Sequence, residues 1–348
     1  MFFKLASSFI ITITTLSTVI NFTKAYNIPH FFDHWTCLGI KEVWDSPRPQ
    51  VSNIGELPLI TWKNPVTSEW ITCINICKHM GSKLDNAIVT DNGCLKCQYH
   101  GLEISEKDKF GETVEHEGKI FWAFKPTTKS PPSIPFYKNK QYEKSILEID
   151  MDASLTDSAY NMMDLRHPEF VHNKFVGFGS QVPPQNIQHF YYGHKDRVGL
   201  SFDYISNDLM RRINENVNKT NNFHMFQYPS FTWSKVSFDK NNLIIGVNLL
   251  PLSKNRTRWF ITICHNYHKS SIGKEFMKML AITILNQDFY QMSNQYEEND
   301  LKKEVIFEHI FRDEEAILSV KKMFETYHYK YPDLEECVNL YKHFKVNM

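Results

Sequence analysis

Two short boxes stand out for the chemistry they offer. Cys77-Lys78-His79 is followed, after 17 residues, by Cys97-Gln98-Tyr99-His100, so each box carries one thiol and one imidazole. Such a set suits a [2Fe–2S] cluster whose cysteines hold one iron and whose histidines hold the other. Neutral imidazole donates less charge than thiolate, which raises the potential to roughly −150 to +300 mV. Gly81 and Gly101 follow the boxes and free the backbone to wrap an inorganic core. Zinc accepts the same four ligands, but zinc fingers usually pair Cys with Cys and His with His. The mixed boxes favour the cluster. Cys73 and Cys94 break the spacing and read as core or strand residues.

A second constellation lies some sixty residues on, in Asn161-Met162-Met163-Asp164-Leu165-Arg166-His167-Pro168-Glu169-Phe170-Val171-His172. On an ideal helix Asp164 and His167 share a face. His167 and His172 would diverge by about 140° at 3.6 residues per turn. Pro168 can disrupt or restart a helix and so lets them converge. Two imidazoles meeting there would supply two thirds of a 2-His-1-carboxylate iron site. The third ligand is expected at Asp288, which interrupts the apolar 4-3-4 stripe Ala281, Leu285, Met292; a buried carboxylate needs a cation. Alone, such an aspartate is more often a cap or half of an ion pair. Met162, Met163, Phe170 and Val171 read as core, the last two possible borders of the iron site. His189, His194, His265 and His268 lie on strand-like segments without an evident carboxylate partner and read as packing or surface residues.

The elements that must carry these groups fall into two parts. Runs such as Leu59–Trp62, Trp70–Cys73 and Lys119–Phe124, punctuated by Asp91-Asn92-Gly93 and Glu117-Gly118, predict an all-β unit of short strands. Four prolines between Pro126 and Pro135 mark a linker. Beyond it, helical periodicity around 155–170 and 273–296 brackets strand-like stretches at 198–205, 231–238, 243–250 and 258–265. That alternation predicts an α+β domain with an antiparallel sheet. The charged tail after Glu297 reads as mostly helical. The expected division is a leader at 1–25, an iron–sulfur domain at 33–126, a linker at 127–140 and a catalytic domain at 141–348.

Composition narrows the partners. Lys+Arg and Asp+Glu balance at 39 each, so nothing in the charge asks for nucleic acid. Seven cysteines in 348 residues do not read as a disulfide scaffold. Residues 5–22 are apolar and about long enough to cross a bilayer, and Thr23-Lys24-Ala25 could end a secretory signal. A thiolate-ligated cluster argues for a reducing compartment, so the expectation is a membrane-associated protein facing one; secretory and plastid targeting are the alternatives.

The two constellations together resemble the Rieske-type non-haem iron oxygenase superfamily, in particular the branch of vanillate O-demethylase, pheophorbide a oxygenase and sterol 7-desaturase. The resemblance runs from about Trp35 to Gln295 and includes Leu249–Trp259. It implies an all-β Rieske domain followed by a helix-plus-antiparallel-sheet catalytic domain. By it, Cys77, His79, Cys97 and His100 bind the cluster, and His167, His172 and Asp288 bind a mononuclear Fe(II) that activates O2. It also implies that Asp164 bridges the cluster of one subunit to the iron of the next, with Asn161 supporting the iron, which requires a closed ring, usually a homotrimer. Lys78, Met80 and Leu102 depart from the family pattern, which affects loop packing rather than ligand identity. With no flavin or nicotinamide fingerprint in the sequence, a ferredoxin or NAD(P)H-dependent reductase is implied. The implied substrate is a hydrophobic small molecule that is hydroxylated, demethylated or desaturated. A non-catalytic Rieske carrier or redox sensor would need the first constellation but not the second.

Overall fold

Short runs of β-branched and aromatic residues become nine strands in the first third of the chain. They are β1 (Thr36–Ile40), β2 (Gln50–Ile54), β3 (Leu57–Lys63), β4 (Trp70–Ile74), β5 (Ile88–Val89), β6 (Leu95–Lys96), β7 (Glu103–Ile104), β8 (Glu112–His116) and β9 (Lys119–Ala123). A one-turn helix, α1 (Lys41–Trp44), joins the first two. The computed structural model describes residues 30–172, 184–192, 196–205, 219–295 and 315–346. The expectations for residues 1–25, and for the tail between Glu297 and residue 314, lie outside them.

These strands make three small antiparallel sheets, ordered β1-β9-β8, β2-β3-β4 and β5-β6-β7. A separate small core under the last two sheets contains Ile60, Trp62, Ile71, Leu84, Leu95 and Ile104, together with Cys77 and Cys97. The first sheet belongs instead to the main core, where Leu38, Phe121 and Trp122 meet Leu249 and Phe260.

The second part is one seven-stranded antiparallel sheet in the order β10-β16-β15-β14-β13-β12-β11. Its strands are β10 (Glu143–Met151), β11 (Gln185–Tyr192), β12 (Arg197–Ile205), β13 (Lys219–Gln227), β14 (Phe231–Phe238), β15 (Asn241–Ser253) and β16 (Arg256–His265). Helices α2 (Leu155–Met163), α3 (His167–Val171), α4 (Ser271–Ser293), α5 (Glu315–Thr326) and α6 (Leu334–Val346) complete it. α4 packs beside β10, and α2 rests against β13, β15 and α5. The α+β class expected from the sequence is the class observed.

Three differences from the sequence reading have physical causes. The periodic stretch 155–170 is two helices, not one, because the chain leaves helical geometry at Asp164 (φ −76°, ψ 118°). β10 and β13 were not expected, and β11 only as a strand-like segment around His189. The proline-rich stretch has no regular element, yet it is tied down: Ile134 is 3% exposed, and its N–H donates to Glu117 Oε2 at 2.9 Å.

Candidate functional sites

The two cysteine–histidine boxes form matching loops at the tip of the first domain. Cys77 N donates to Ser82 O (2.7 Å) and Gly81 N to Cys77 O (2.8 Å); Cys97 N donates to Leu102 O and Gly101 N to Cys97 O, both 2.9 Å. Each loop closes through a glycine in left-handed geometry, φ +74° at Gly81 and +75° at Gly101. A side chain there would be strained, which is why both positions are glycine.

The repeat puts like groups side by side. Both sulfurs are buried in the small core, while His79 and His100 stand exposed at the tip with ring centroids 4.8 Å apart. The backbone of Tyr99, aided by Cys77 and the backbone of His100, holds the Cys97 thiol below the usual thiol range. Hydrogen bonds aimed at sulfur favour thiolate, the form that binds metal and the form such bonds tune in iron–sulfur proteins. Paired thiols inside and paired imidazoles outside fit a [2Fe–2S] cluster.

The second constellation is assembled by the helix break. A helix end leaves its last carbonyls without intrahelical partners, and here side chains take them up. His167 Nδ1 bonds Asp164 O at 3.0 Å, and the Tyr204 hydroxyl donates to Leu165 O. His224 hydrogen-bonds the Met162 backbone. Asp164 Oδ1 meanwhile accepts from Arg166 N (2.8 Å) and His167 N (3.2 Å), capping the restarted helix in which Pro168 occupies the first turn.

On α4, Asp288 is 3% exposed on the stripe with Met277, Leu285 and Met292. Its Oδ1 lies 3.2 Å from His172 Nε2 and 3.6 Å from His167 Nε2. One ligand atom from each of the three residues falls within 4.8 Å of the others, a group that could hold a metal ion. Both Nδ1 atoms are already engaged, His167 with Asp164 O and His172 with Gln287 Oε1 at 2.9 Å. The Nε2 atoms are left to point at the carboxylate, the arrangement that fixes tautomer and ring angle in metal-binding histidines. Burial lowers the His167 pKa despite the two neighbouring carboxylates. At His172 burial also opposes the charge, but Asp288 and Gln287 outweigh it and the net shift is upward. Asp288 Oδ1 is buried without hydrogen-bond geometry to any partner, and an orphaned carboxylate oxygen facing two imidazole lone pairs fits a divalent cation.

The other candidates fall as follows. Asn161 sits in the last turn of α2 with its Oδ1 buried and unpartnered. Met163 is buried, and Met162 lines the cavity described next. Phe170, expected in the core, is 67% exposed. His189 does have a carboxylate neighbour, Glu315 Oε2 at 3.5 Å. His194 lies outside the described residues. His265 is fully buried with Nδ1 on Tyr267 O, a packing role.

An apolar cavity of about 150 Å³ opens beside the triad, between α4 and the inner face of the large sheet. His167, His172 and Asp288 lie in its wall with Leu243, Ile245, Val247, Trp259 and Ile261. Asn222, His224, Thr232 and Ser234 also line it, and none of these was singled out from the sequence. The available signal was the largely polar stretch 219–224, interrupted only by Phe223, at the start of β13.

Residues 34–120 match the family model of the Rieske [2Fe-2S] domain, so the chain carries that domain. The curated sequence of pheophorbide a oxygenase, chloroplastic, from Oryza sativa subsp. japonica is 20% identical over 292 residues. That alignment takes in 71% of this chain and 52% of the relative, so the chain spans about half the relative's length. Dicamba monooxygenase bound to dicamba superposes with a TM-score of 0.71 at 16% identity, covering 85% of this chain and 97% of that one. Pseudomonas putida CBB5 NdmA with caffeine gives 0.70 at 15%, covering 84% and 90%. The two-part fold, Rieske domain included, is shared with those structures.

Proposed function

We propose that this chain is a Rieske-type non-haem iron oxygenase acting on a hydrophobic small molecule. The observation that carries the reading is the convergence of His167, His172 and Asp288 in one chain with a Rieske domain. A carrier would have no use for the triad. In this reading Cys77, His79, Cys97 and His100 hold the cluster, and His167, His172 and Asp288 hold a mononuclear Fe(II). Residues 33–126 form the electron-accepting domain and 141–348 the oxidising one.

When bound, the two centres supply one-electron transfer and dioxygen activation. The chain's own residues do the rest. Asp164 O and Gln287 Oε1 keep the proton on Nδ1 of each histidine, so both Nε2 lone pairs stay available. The apolar wall from β15, β16 and α4 excludes water and receives an apolar substrate. Asp164 spends one oxygen on capping and keeps Oδ2 at 3.9 Å from His167 Nδ1. That leaves it free to receive His100 of a neighbouring subunit in a homotrimer, with Asn161 supporting the iron-bearing helix.

Electrons come from a ferredoxin or an NAD(P)H-dependent reductase. The cluster asks for a reducing compartment, with residues 5–22 as the membrane attachment; the chloroplastic relative supports the plastid alternative. No helix among the described residues is long and apolar enough to cross a membrane.

Single-turnover oxygen consumption by the reduced, iron-loaded protein tests the reading. Uptake in the presence of an apolar substrate is expected, with Asp164→Asn slowing it at least about tenfold by removing the bridge. A reducible cluster in a protein that takes up no oxygen would leave only the carrier.

A further inference from the structure

The cavity is apolar over most of its surface; apart from the triad and Tyr204, its polar lining residues gather in one patch. Asn222 and His224 alternate along β13, and Thr232 and Ser234 along β14. The pairing sets His224 directly opposite Ser234, Asn222 opposite Val236 and Phe226 opposite Thr232. Period-two alternation therefore brings all four onto the inner face of the sheet, and all four line the cavity.

What these groups have left to offer is decided by what they have already given away. Asn222 Nδ2 donates twice to Thr220, to its carbonyl and its hydroxyl oxygen, each 3.1 Å. The amide oxygen cannot donate to a carbonyl, so the NH2 end faces Thr220 O and Oδ1 is the end left for the cavity. Thr232 donates its hydroxyl to Met225 O at 2.8 Å. Tyr204, another lining residue, donates to Leu165 O. Nδ1 of His224 is buried without a partner, which assigns the ring's contact with the Met162 backbone to Nε2–H. Burial, with His167 second, lowers the His224 pKa to about 4, so the ring is neutral and Nδ1 carries a lone pair. Donors have been spent on backbone carbonyls; acceptors remain. Ser234, whose hydroxyl can turn either way, is the exception. No lysine or arginine stands among the described residues lining the cavity.

We infer that the cavity selects an uncharged, largely apolar substrate bearing an O–H or N–H group, which donates to the acceptor patch formed by Asn222, His224 and Ser234. This rests on the oxygenase reading for its site and deepens it by naming the substrate class. A carboxylate would lose its hydration to a wall of lone pairs, and a buried acceptor facing another acceptor is unfavourable. An ether or hydrocarbon of the same shape would leave the patch unpaired.

The test is calorimetric binding to the full-length, metal-loaded protein under anaerobic conditions at neutral pH. Three matched probes are used: 2-naphthol, 2-methoxynaphthalene and 2-naphthoate. The naphthol is expected to bind about tenfold or more tighter than either of the others, which corresponds to about 1.4 kcal/mol. His224→Leu should bring the naphthol down to the level of the methyl ether, and Ser234→Ala should narrow the gap less. Metal content of each variant checks that the site is intact. Equal binding of naphthol and ether, binding of naphthoate as tight as naphthol, or no binding of any probe overturns the assignment. So does an unchanged preference in a folded, metal-loaded His224→Leu protein. Because nothing turns over, ligand preference and oxygen chemistry can fail separately.

Discussion

The four cluster-binding candidates come from one stretch of chain, residues 77–100, whereas the triad comes from two helices with residues 173–270 between them. At the tip, two loops repeat one hydrogen-bond pattern around a small private core. At the triad no pattern repeats. A broken helix presents two imidazoles, a long helix presents one carboxylate, and Gln287 and a freed backbone carbonyl fix the rings. Local loop geometry therefore suffices to build the first site, while the second depends on how α3 docks against α4. A site of the first kind should respond to backbone changes within its loops; one of the second should respond to side chains that never touch the metal.

Removing a sulfur should have the largest effect. Cys97→Ser is expected to abolish the cluster's visible absorption and its low-g electron paramagnetic resonance, and to loosen the small core around Trp62 and Leu95, while the triad still binds metal. Loss of metal at the triad as well would mean that the two sites are not separable. Next comes Gln287→Leu, which frees His172 Nδ1 and should weaken metal binding at the triad about 10- to 100-fold. Competitive chelation reads that affinity, and the cluster signal should not change.

The seam between the two regions offers a pH test. His34 precedes β1 and meets the Tyr228 ring edge-on at 5.3 Å; burial, with His30 second, lowers its pKa to about 4 from 6.5. The unfolded chain therefore takes up this proton first. The stability contribution of neutral His34 is complete above about pH 6.5 and is lost as pH falls towards 4, by about 3 kcal/mol in all. Denaturant titrations of wild type and His34→Phe should diverge across that window and run parallel above it.

The smallest effect is expected at the loop glycines. A Cβ at Gly101 would meet only the end of Lys96 at 3.5 Å, and at Gly81 nothing within 4 Å. The penalty for alanine is then backbone strain alone, about 1–2 kcal/mol. Thermal melting measures it. A cost well beyond that range would mean that the loops are held by more than their own geometry.

Legibility in the sequence follows the same divide. The two boxes could be read because ligands, spacing and turn glycines are adjacent in the chain. Asp288 could be read because an acid on an apolar helical stripe is out of place. The break at Asp164 could not, since both halves keep helical periodicity and the capping bonds that end one helix and start the next are tertiary in effect. β13 was missed for a reason tied to function. Its inward positions Thr220, Asn222 and His224 are polar, so the alternation that marks a half-buried strand is absent where the sheet lines the cavity.

Iron and acid-labile sulfide per chain, measured on wild type and on Asp288→Asn, test the central claim most directly. Two iron centres in one chain predict about three irons and two sulfides in the wild type, falling to about two irons with sulfide unchanged in the variant. Two irons in both proteins, or zinc in place of iron and sulfide, would contradict it.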